Sequence, residues 1–267
     1  MSARAYLFVP GDRPDRFDKA AAAGADAVIL DLEDAVEGHA KPQARRSIIE
    51  WARAGGALDA VWVRINAAGS EDFAEDLTTV ARARIMGVVL SKTESAAHVA
   101  AVRGAVPQAR VLALIESARG VLALRDICGA EGVVRLGFGS LDYANDLGLS
   151  GDERGLIEPA SRMALASRVA GIGSPVAGVT TALDDPRQLQ ADLDFARAMG
   201  FGAKLCIHPK QVAAVRAAFA PTDAEVDWAR RVVAATAGGA GAVQVDGRMV
   251  DRPVLLKARD ILERAGG

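Results

Sequence analysis

Eight short apolar runs, each followed by a segment of helical spacing, constrain this chain more than any other feature. The runs are Ala5–Val9, Ala27–Leu32, Ala60–Ile65, Gly87–Ser91, Val111–Ile115, Val133–Phe138, Pro175–Val179 and Ala203–Ile207. Short apolar runs bounded by glycine, proline and polar residues read as strands buried on both faces. Helical segments lie between them at Asp15–Ala23, Lys41–Ala54, Glu71–Arg84, Ser95–Val106, Ala118–Cys128, Glu158–Ala170 and Pro186–Met199, with an eighth at Pro209–Phe219. Eight strand–helix alternations predict an α/β fold, a (β/α)8 TIM barrel over residues 1–220. A doubly wound sheet is the competing architecture. Its glycine fingerprint is missing after the first strand, where Pro10-Gly11-Asp12-Arg13-Pro14 stands instead.

After Phe219 the pattern changes. Pro221-Thr222-Asp223-Ala224-Glu225 reads as a turn and a capped helix start, with the helix running to about Ala237. Gly238–Ala242 reads as a flexible hinge, and Ala242–Val250 as a hairpin around Asp246-Gly247. Asp251-Arg252-Pro253 opens a last helix. Residues 221–267 are thus expected to form a C-terminal helix–hairpin–helix extension. It serves either as a lid or subunit-crossing arm, or as a helix packed on the barrel's base; pattern alone leaves both open.

Composition narrows the function classes. Half of the 267 residues are hydrophobic, enough for one sizeable core. The net charge of −2 is dispersed along the chain, which argues against nucleic acid as a partner. Pro10-Gly11-Asp12 interrupts the N-terminal apolar run, so no signal peptide is expected, and no apolar stretch approaches a membrane span. Cys128 and Cys206 have neither metal nor redox spacing; they read as buried thiols of a cytoplasmic protein.

The chemistry-bearing residues gather at expected strand ends, where barrels bind ligands. Val111–Ile115 is followed by Glu116, and Val133–Phe138 by Gly139-Ser-Leu-Asp142. Two carboxylates there suit a hard cation such as Mg²⁺. The alternative is a pair of helix-start or solvated loop acids. Against it, Glu116 continues the alternation of Leu112 and Leu114 onto the barrel-facing side, where an acid needs a partner or a metal. The second strand ends in four acids, Asp31, Glu33, Asp34 and Glu37. Glu33 and Asp34 are expected nearest the metal, behind its ligands, with other acids pairing to Lys41, Arg45 and Arg13.

Arg64 lies inside the apolar third strand and needs an anion. It is either a clamp for a substrate carboxylate or a buried partner of the second strand's acids. Lys92 ends the fourth strand and, with Gly139 and Arg64, is a candidate for substrate binding. Arg13 and Arg16 follow strand 1, where guanidinium forks fit phosphate or carboxylate. His208, beside Pro209, is either an acid/base or a structural loop residue. No Ser-His-Asp, zinc or Walker spacing is present.

The ordered motifs Phe8-Val-Pro-Gly-Asp-Arg-Pro14, Ala27-Val-Ile-Leu-Asp-Leu-Glu-Asp-Ala-Val36, Val63-Arg-Ile-Asn66, Leu114-Ile-Glu-Ser-Ala-Arg-Gly120, Phe138-Gly-Ser-Leu-Asp142, Cys206-Ile-His-Pro-Lys-Gln211 and Gly247-Arg-Met-Val-Asp251 carry a resemblance. The chain resembles the citrate lyase β-subunit-like family of CoA-ester lyases, which includes malyl-CoA and citramalyl-CoA lyases. The resemblance implies a TIM barrel, a Mg²⁺ ion, a CoA thioester with a 2-oxo acid as small-molecule partners, and a homotrimer or hexamer. It implies Glu116 and Asp142 as metal ligands and Arg64 as the grip on the 2-oxo acid's carboxylate. Asp251 matches an acid that reaches a neighbouring subunit's site, and Arg13, Lys41 and Arg45 match positions for CoA phosphates. Leu141 replaces an acid that many members carry, which sets this chain apart from the citrate lyase subunit itself.

The implied reaction is a metal-dependent carbon–carbon cleavage of a 3-hydroxyacyl-CoA. Two other readings stay open. One is a metal-dependent aldolase on free 4-hydroxy-2-oxo acids, with His39 loosely placed as its histidine. The other is a subunit that works only with an acyl carrier protein.

Overall fold

The computed structural model describes residues 3–151, 153–236 and 243–266. Its centre is a closed barrel of eight parallel strands in sequential order. They are β1 (Ala5–Pro10), β2 (Ala27–Asp31), β3 (Val61–Ile65), β4 (Gly87–Leu90), β5 (Arg110–Ile115), β6 (Val133–Phe138), β7 (Gly173–Ala177) and β8 (Ala203–Cys206), and β8 pairs back onto β1. The expected (β/α)8 barrel is the observed one. Most strands fall within a residue of the expected runs. β7 begins and ends two residues early, because its first residues, Gly173 and Ser174, are exposed and carry no apolar signal.

The strands form because both faces find apolar cover. Tyr6, Ala27, Ile29, Trp62, Val89, Leu112, Leu114, Val176, Ala203 and Leu205 pack together as one buried cluster. Their neighbours in sequence, such as Val28, Val63, Val88, Val111 and Ala113, are buried as well. Residues that alternate along a strand lie on opposite faces, so the cluster is one face of the closed sheet and these neighbours the other.

Crossing segments include α1 (Phe17–Ala21), α2 (Lys41–Arg53), α3 (Phe73–Ala83) and α4 (Ala96–Ala105). The helix expected at Ala118–Cys128 is two, α5 (Ala118–Leu122) and α6 (Leu124–Gly129), and an additional short helix, α7 (Ser140–Leu147), precedes α8 (Ile157–Ala170). α9 (Pro186–Ala198) and α10 (Pro209–Phe219) complete the set. Ser95, Ser117 and Asp185 cap α4, α5 and α9 by accepting backbone N–H bonds.

The chain divides into two compact units, Ala3–Arg216 and one that includes Ala217–Gly267. The second holds α11 (Asp223–Thr236), the antiparallel pair β9 (Val243–Val245) and β10 (Arg248–Val250), and α12 (Arg252–Gly266). Thr222 and Glu225 form a reciprocal capping box at the start of α11. Asp246 and Gly247 both have positive φ, 53° and 76°, as the tight turn of a right-twisted hairpin requires. Ala229, Val232, Val245, Val250, Ala258 and Ile261 make this unit's own core. The expected hinge at Gly238–Ala242 lies outside the described residues. Among the described residues, no helix is long and apolar enough to cross a membrane.

Candidate active site

Strand alternation builds the site. Phe8 follows Tyr6, Asp31 follows Ile29, Arg64 follows Trp62, and Glu116 follows Leu112 and Leu114. Each polar residue therefore stands at the carboxyl end of a strand, on the face its apolar predecessors turn into the cluster. There they border a pocket of ≈ 210 Å³, whose lining includes Asp31, Arg64, Glu116, Gly139 and Asp142.

Glu116 is 5% exposed. One carboxylate oxygen accepts the Lys92 backbone N–H at 2.6 Å. Lys92 reaches that position with φ of 47°, a backbone state uncommon for a residue with a side chain. Burial lifts the Glu116 pKa to about 7, against the pull of the Lys92 N–H, and the nearby Glu33 charge adds to the rise. Its negative charge is therefore incompletely compensated by the protein, the condition a bound cation relieves. Gly139 packs directly over this side chain: a Cβ there would stand 2.5 Å from Glu116 Oε1. Asp142, in the first turn of α7, lines the same pocket. Among the described residues no group of three or more His, Cys, Asp or Glu could hold a metal. Glu116 and Asp142 could serve as two carboxylate donors to a hard cation that completes its shell with water and substrate oxygens.

Arg64 forms a two-bonded fork with Asp31, Nε to Oδ1 and Nη2 to Oδ2, each at 2.6 Å. Its Nη1 lies 2.9 Å from Glu33. The guanidinium also covers the Phe8 ring at 4.8 Å. Burial disfavours its charge, but Asp31, Glu33 and Asp34 together raise its pKa above the ordinary value. Of the two sequence readings of Arg64, the structure shows the buried partner of the second strand's acids, and the residue also lines the pocket. Asp31 was only one of four acids in sequence, yet it is the fully buried one, holding the Glu33 and Ala35 N–H groups as well as Arg64. Its signal was the alternation from Ala27 through Ile29.

Glu33 bridges Arg64 and the Lys92 ammonium, and Asp34 is more exposed at the pocket's edge. Lys92 thus spends its side chain on Glu33 and its N–H on Glu116.

Lys41 and Arg45, expected at CoA phosphates, are each paired with acids in the structure. Arg45 is buried between Asp76 at 2.8 Å and Asp72 at 2.5 Å, and Lys41 bonds Asn66 at 2.5 Å and Asp72 at 3.3 Å. These cations are held in an internal network joining α2, α3 and the end of β3. Arg13 is half-exposed and pairs with Asp15, at 3.2 Å, two residues away. His39 lies in solvent beside Glu37, and His208 Nδ1 accepts the Lys210 N–H of its own turn. In the second unit, Asp251 is exposed and caps α12 by accepting the Val254 N–H at 3.1 Å.

A family model described as HpcH/HpaI aldolase/citrate lyase matches residues 4–209. The chain belongs to this family. A citrate lyase subunit beta-like protein of Mycobacterium tuberculosis is 39% identical over 98% of this chain and 95% of its own. A (3S)-malyl-CoA thioesterase of Cereibacter sphaeroides is 33% identical over 98% of this chain and 94% of its own. A crystal structure of the M. tuberculosis protein CitE, in complex with magnesium, acetoacetate and coenzyme A, superposes with a TM-score of 0.87 at 39% identity, over 100% of this chain and 99% of that one. The family resemblance read from the motifs is thereby established for the chain, and the family model spans nearly all of the barrel unit.

Proposed function

We propose that this protein is a Mg²⁺-dependent carbon–carbon lyase. It cleaves, or in reverse forms, a 3-hydroxyacyl-CoA of the malyl-CoA or citramalyl-CoA kind, giving an acyl-CoA and a 2-oxo acid. The observation that carries this reading is the convergence of Glu116, Asp142 and Arg64 on one pocket at the carboxyl end of the barrel. Magnesium with acetoacetate and coenzyme A, or with pyruvate, in complexes of the M. tuberculosis relative supports it.

Glu116 and Asp142 would hold the ion. When bound, Mg²⁺ supplies Lewis acidity toward the substrate oxygen that turns from hydroxyl to ketone. Arg64 grips the substrate carboxylate and fixes its orientation, and Asp31 holds the guanidinium in place. As the C2–C3 bond breaks, the hydroxyl proton passes to water in the pocket, C3 becomes the carbonyl carbon of the 2-oxo acid, and the bond's electron pair passes to C2 of the acyl-CoA as an enolate. Asp251, brought by the extension of a neighbouring subunit in a homotrimer or hexamer, protonates that carbon. In the condensing direction it removes the same proton. Gly139 shapes the substrate side of the pocket and Lys92 holds Glu116 and Glu33 beside it, with Arg13, Lys41 and Arg45 the cations for the CoA phosphates.

A second reading rests on the relative named as a thioesterase: hydrolysis of the thioester in place of, or after, cleavage. A two-channel assay separates them. Malyl-CoA and citramalyl-CoA are incubated with and without Mg²⁺ while 2-oxo acid is trapped as a hydrazone and free CoA thiol is titrated. The lyase reading expects 2-oxo acid only with metal, without matching thiol. Thiol release without 2-oxo acid would replace it with the thioesterase. Silence in both channels, with no CoA binding, would favour the aldolase on free 4-hydroxy-2-oxo acids.

A further inference from the structure

The pocket at the carboxyl end of the barrel is divided in its chemistry. The eight strands follow one another around the closed barrel, so β7 stands across from β3, the strand that carries Arg64. Acids line the pocket from β2 and its loop, from the end of β5 and from α7: Asp31 and Asp34, Glu116, and Asp142. Arg64 is the one cation in that lining among the described residues. Three of its five N–H groups are engaged, two by Asp31 and one toward Glu33 at 2.9 Å. The two that remain suit one substrate carboxylate and leave nothing for a second. The Lys92 ammonium is held by Glu33. Apolar side chains line the other arc: Leu141 in α7, Val179 after β7, Leu205 in β8 and Ile207 after it. Leu141 is 50% and Ile207 39% exposed, apolar surface that this chain leaves uncovered at the pocket.

We propose that the 2-oxo acid taken here carries a short, uncharged apolar substituent, methyl or ethyl, seated on Leu141, Val179 and Ile207, and that a second carboxylate in that place is rejected. Given the lyase reading, on which this rests, the substrate is then of the citramalyl-CoA kind rather than the malyl-CoA kind. In a planar 2-oxo acid the substituent and the carboxylate lie on opposite sides of the carbonyl carbon. With the carboxylate on Arg64, the substituent extends away from β3, toward the arc of β7 and β8. A hydrocarbon group there covers apolar surface and leaves no polar atom unpaired. A carboxylate there would lose water, find no free cation and face the acids of the opposite arc. Leu141 directly precedes Asp142 in the first turn of α7, so its side chain borders the place where the reacting carbon is held. At ≈ 210 Å³ the pocket is smaller than the roughly 300 Å³ from which pockets for larger ligands begin, which keeps the substituent short.

Calorimetric titration of the full chain in saturating Mg²⁺ with glyoxylate, pyruvate, 2-oxobutyrate and oxaloacetate tests this, glyoxylate being counted by its unhydrated fraction. Pyruvate should bind about fourfold or more tighter than glyoxylate, the worth of one buried methyl or methylene group. 2-Oxobutyrate should bind at least as tightly as pyruvate, and oxaloacetate at least about tenfold more weakly. Leu141→Arg places a cation on the apolar arc at a half-exposed helix position, and should raise oxaloacetate affinity by about tenfold while lowering that of 2-oxobutyrate. Glyoxylate or oxaloacetate binding as tightly as pyruvate would overturn the substituent assignment and leave the lyase reading standing. An unchanged order of affinities in folded Leu141→Arg would overturn the part given to Leu141. Binding of none of the four acids would remove the lyase reading itself, and this assignment with it.

Discussion

Asp31 and Arg64 stand opposite each other in the register of β2 and β3, and their side chains close a fork of two hydrogen bonds, each at 2.6 Å. The pair is nearly buried, and Asp31 also ties down two backbone N–H groups of the loop that follows it. The loop holding Glu33 and Asp34 and the guanidinium at the pocket wall are therefore positioned by one carboxylate. Asp31→Asn keeps the shape and removes the charge. It should destabilise the fold by about 3 kcal/mol, because a buried guanidinium loses its main counter-charge. Urea denaturation reads this directly; an unshifted midpoint would show that Glu33 alone suffices.

Gly139→Ala should disable the metal site while sparing the barrel. The added Cβ would press on Glu116, 2.5 Å from Oε1 and 2.9 Å from Cδ, so the carboxylate must move. Metal affinity should fall by about tenfold or more, with the circular dichroism spectrum unchanged. Full affinity would mean that Glu116 has room to adjust.

Asp251→Asn separates chemistry from folding. Asn caps helices as well as Asp, so the bond to the Val254 N–H and the start of α12 should survive. Turnover should fall by about a hundredfold, the usual worth of a positioned acid/base, with 2-oxo acid binding intact. An unchanged rate would leave Asp251 as a helix cap alone.

These sites differ in how far the sequence displayed them. The barrel was legible because parallel strands are buried on both faces and read as unbroken apolar runs. Glu116 and Arg64 were legible because each extends its strand's alternation. Asp31 obeys the same alternation but was masked by three acids close behind it, and only side-chain packing picks out which of the four carboxylates makes the two-bonded fork with Arg64. The partners of Lys41 and Arg45, Asp72 and Asp76, were not legible because they lie around the start of the next helix, and pairing between helices leaves no local trace.

The thiols should be inert in the native protein. Burial lifts Cys128 to about 11 and Cys206 to about 12. At pH 8 the first is thiolate in about one molecule in a thousand and the second in fewer. Both stay protonated until the pH approaches those values, so iodoacetamide labelling should be negligible at pH 8 and complete in urea. Rapid native labelling at pH 8 would contradict the packing around them.

The most direct test of the site is the titration of metal itself. Mn²⁺ shares the oxygen-ligand preference of Mg²⁺ and is counted by its paramagnetic resonance signal as free ion disappears. The account predicts one ion bound per chain, with affinity reduced by at least about tenfold in Glu116→Gln and in Asp142→Asn while both variants stay folded. One ion bound with undiminished affinity in either variant would contradict the assignment of these two carboxylates as the metal site.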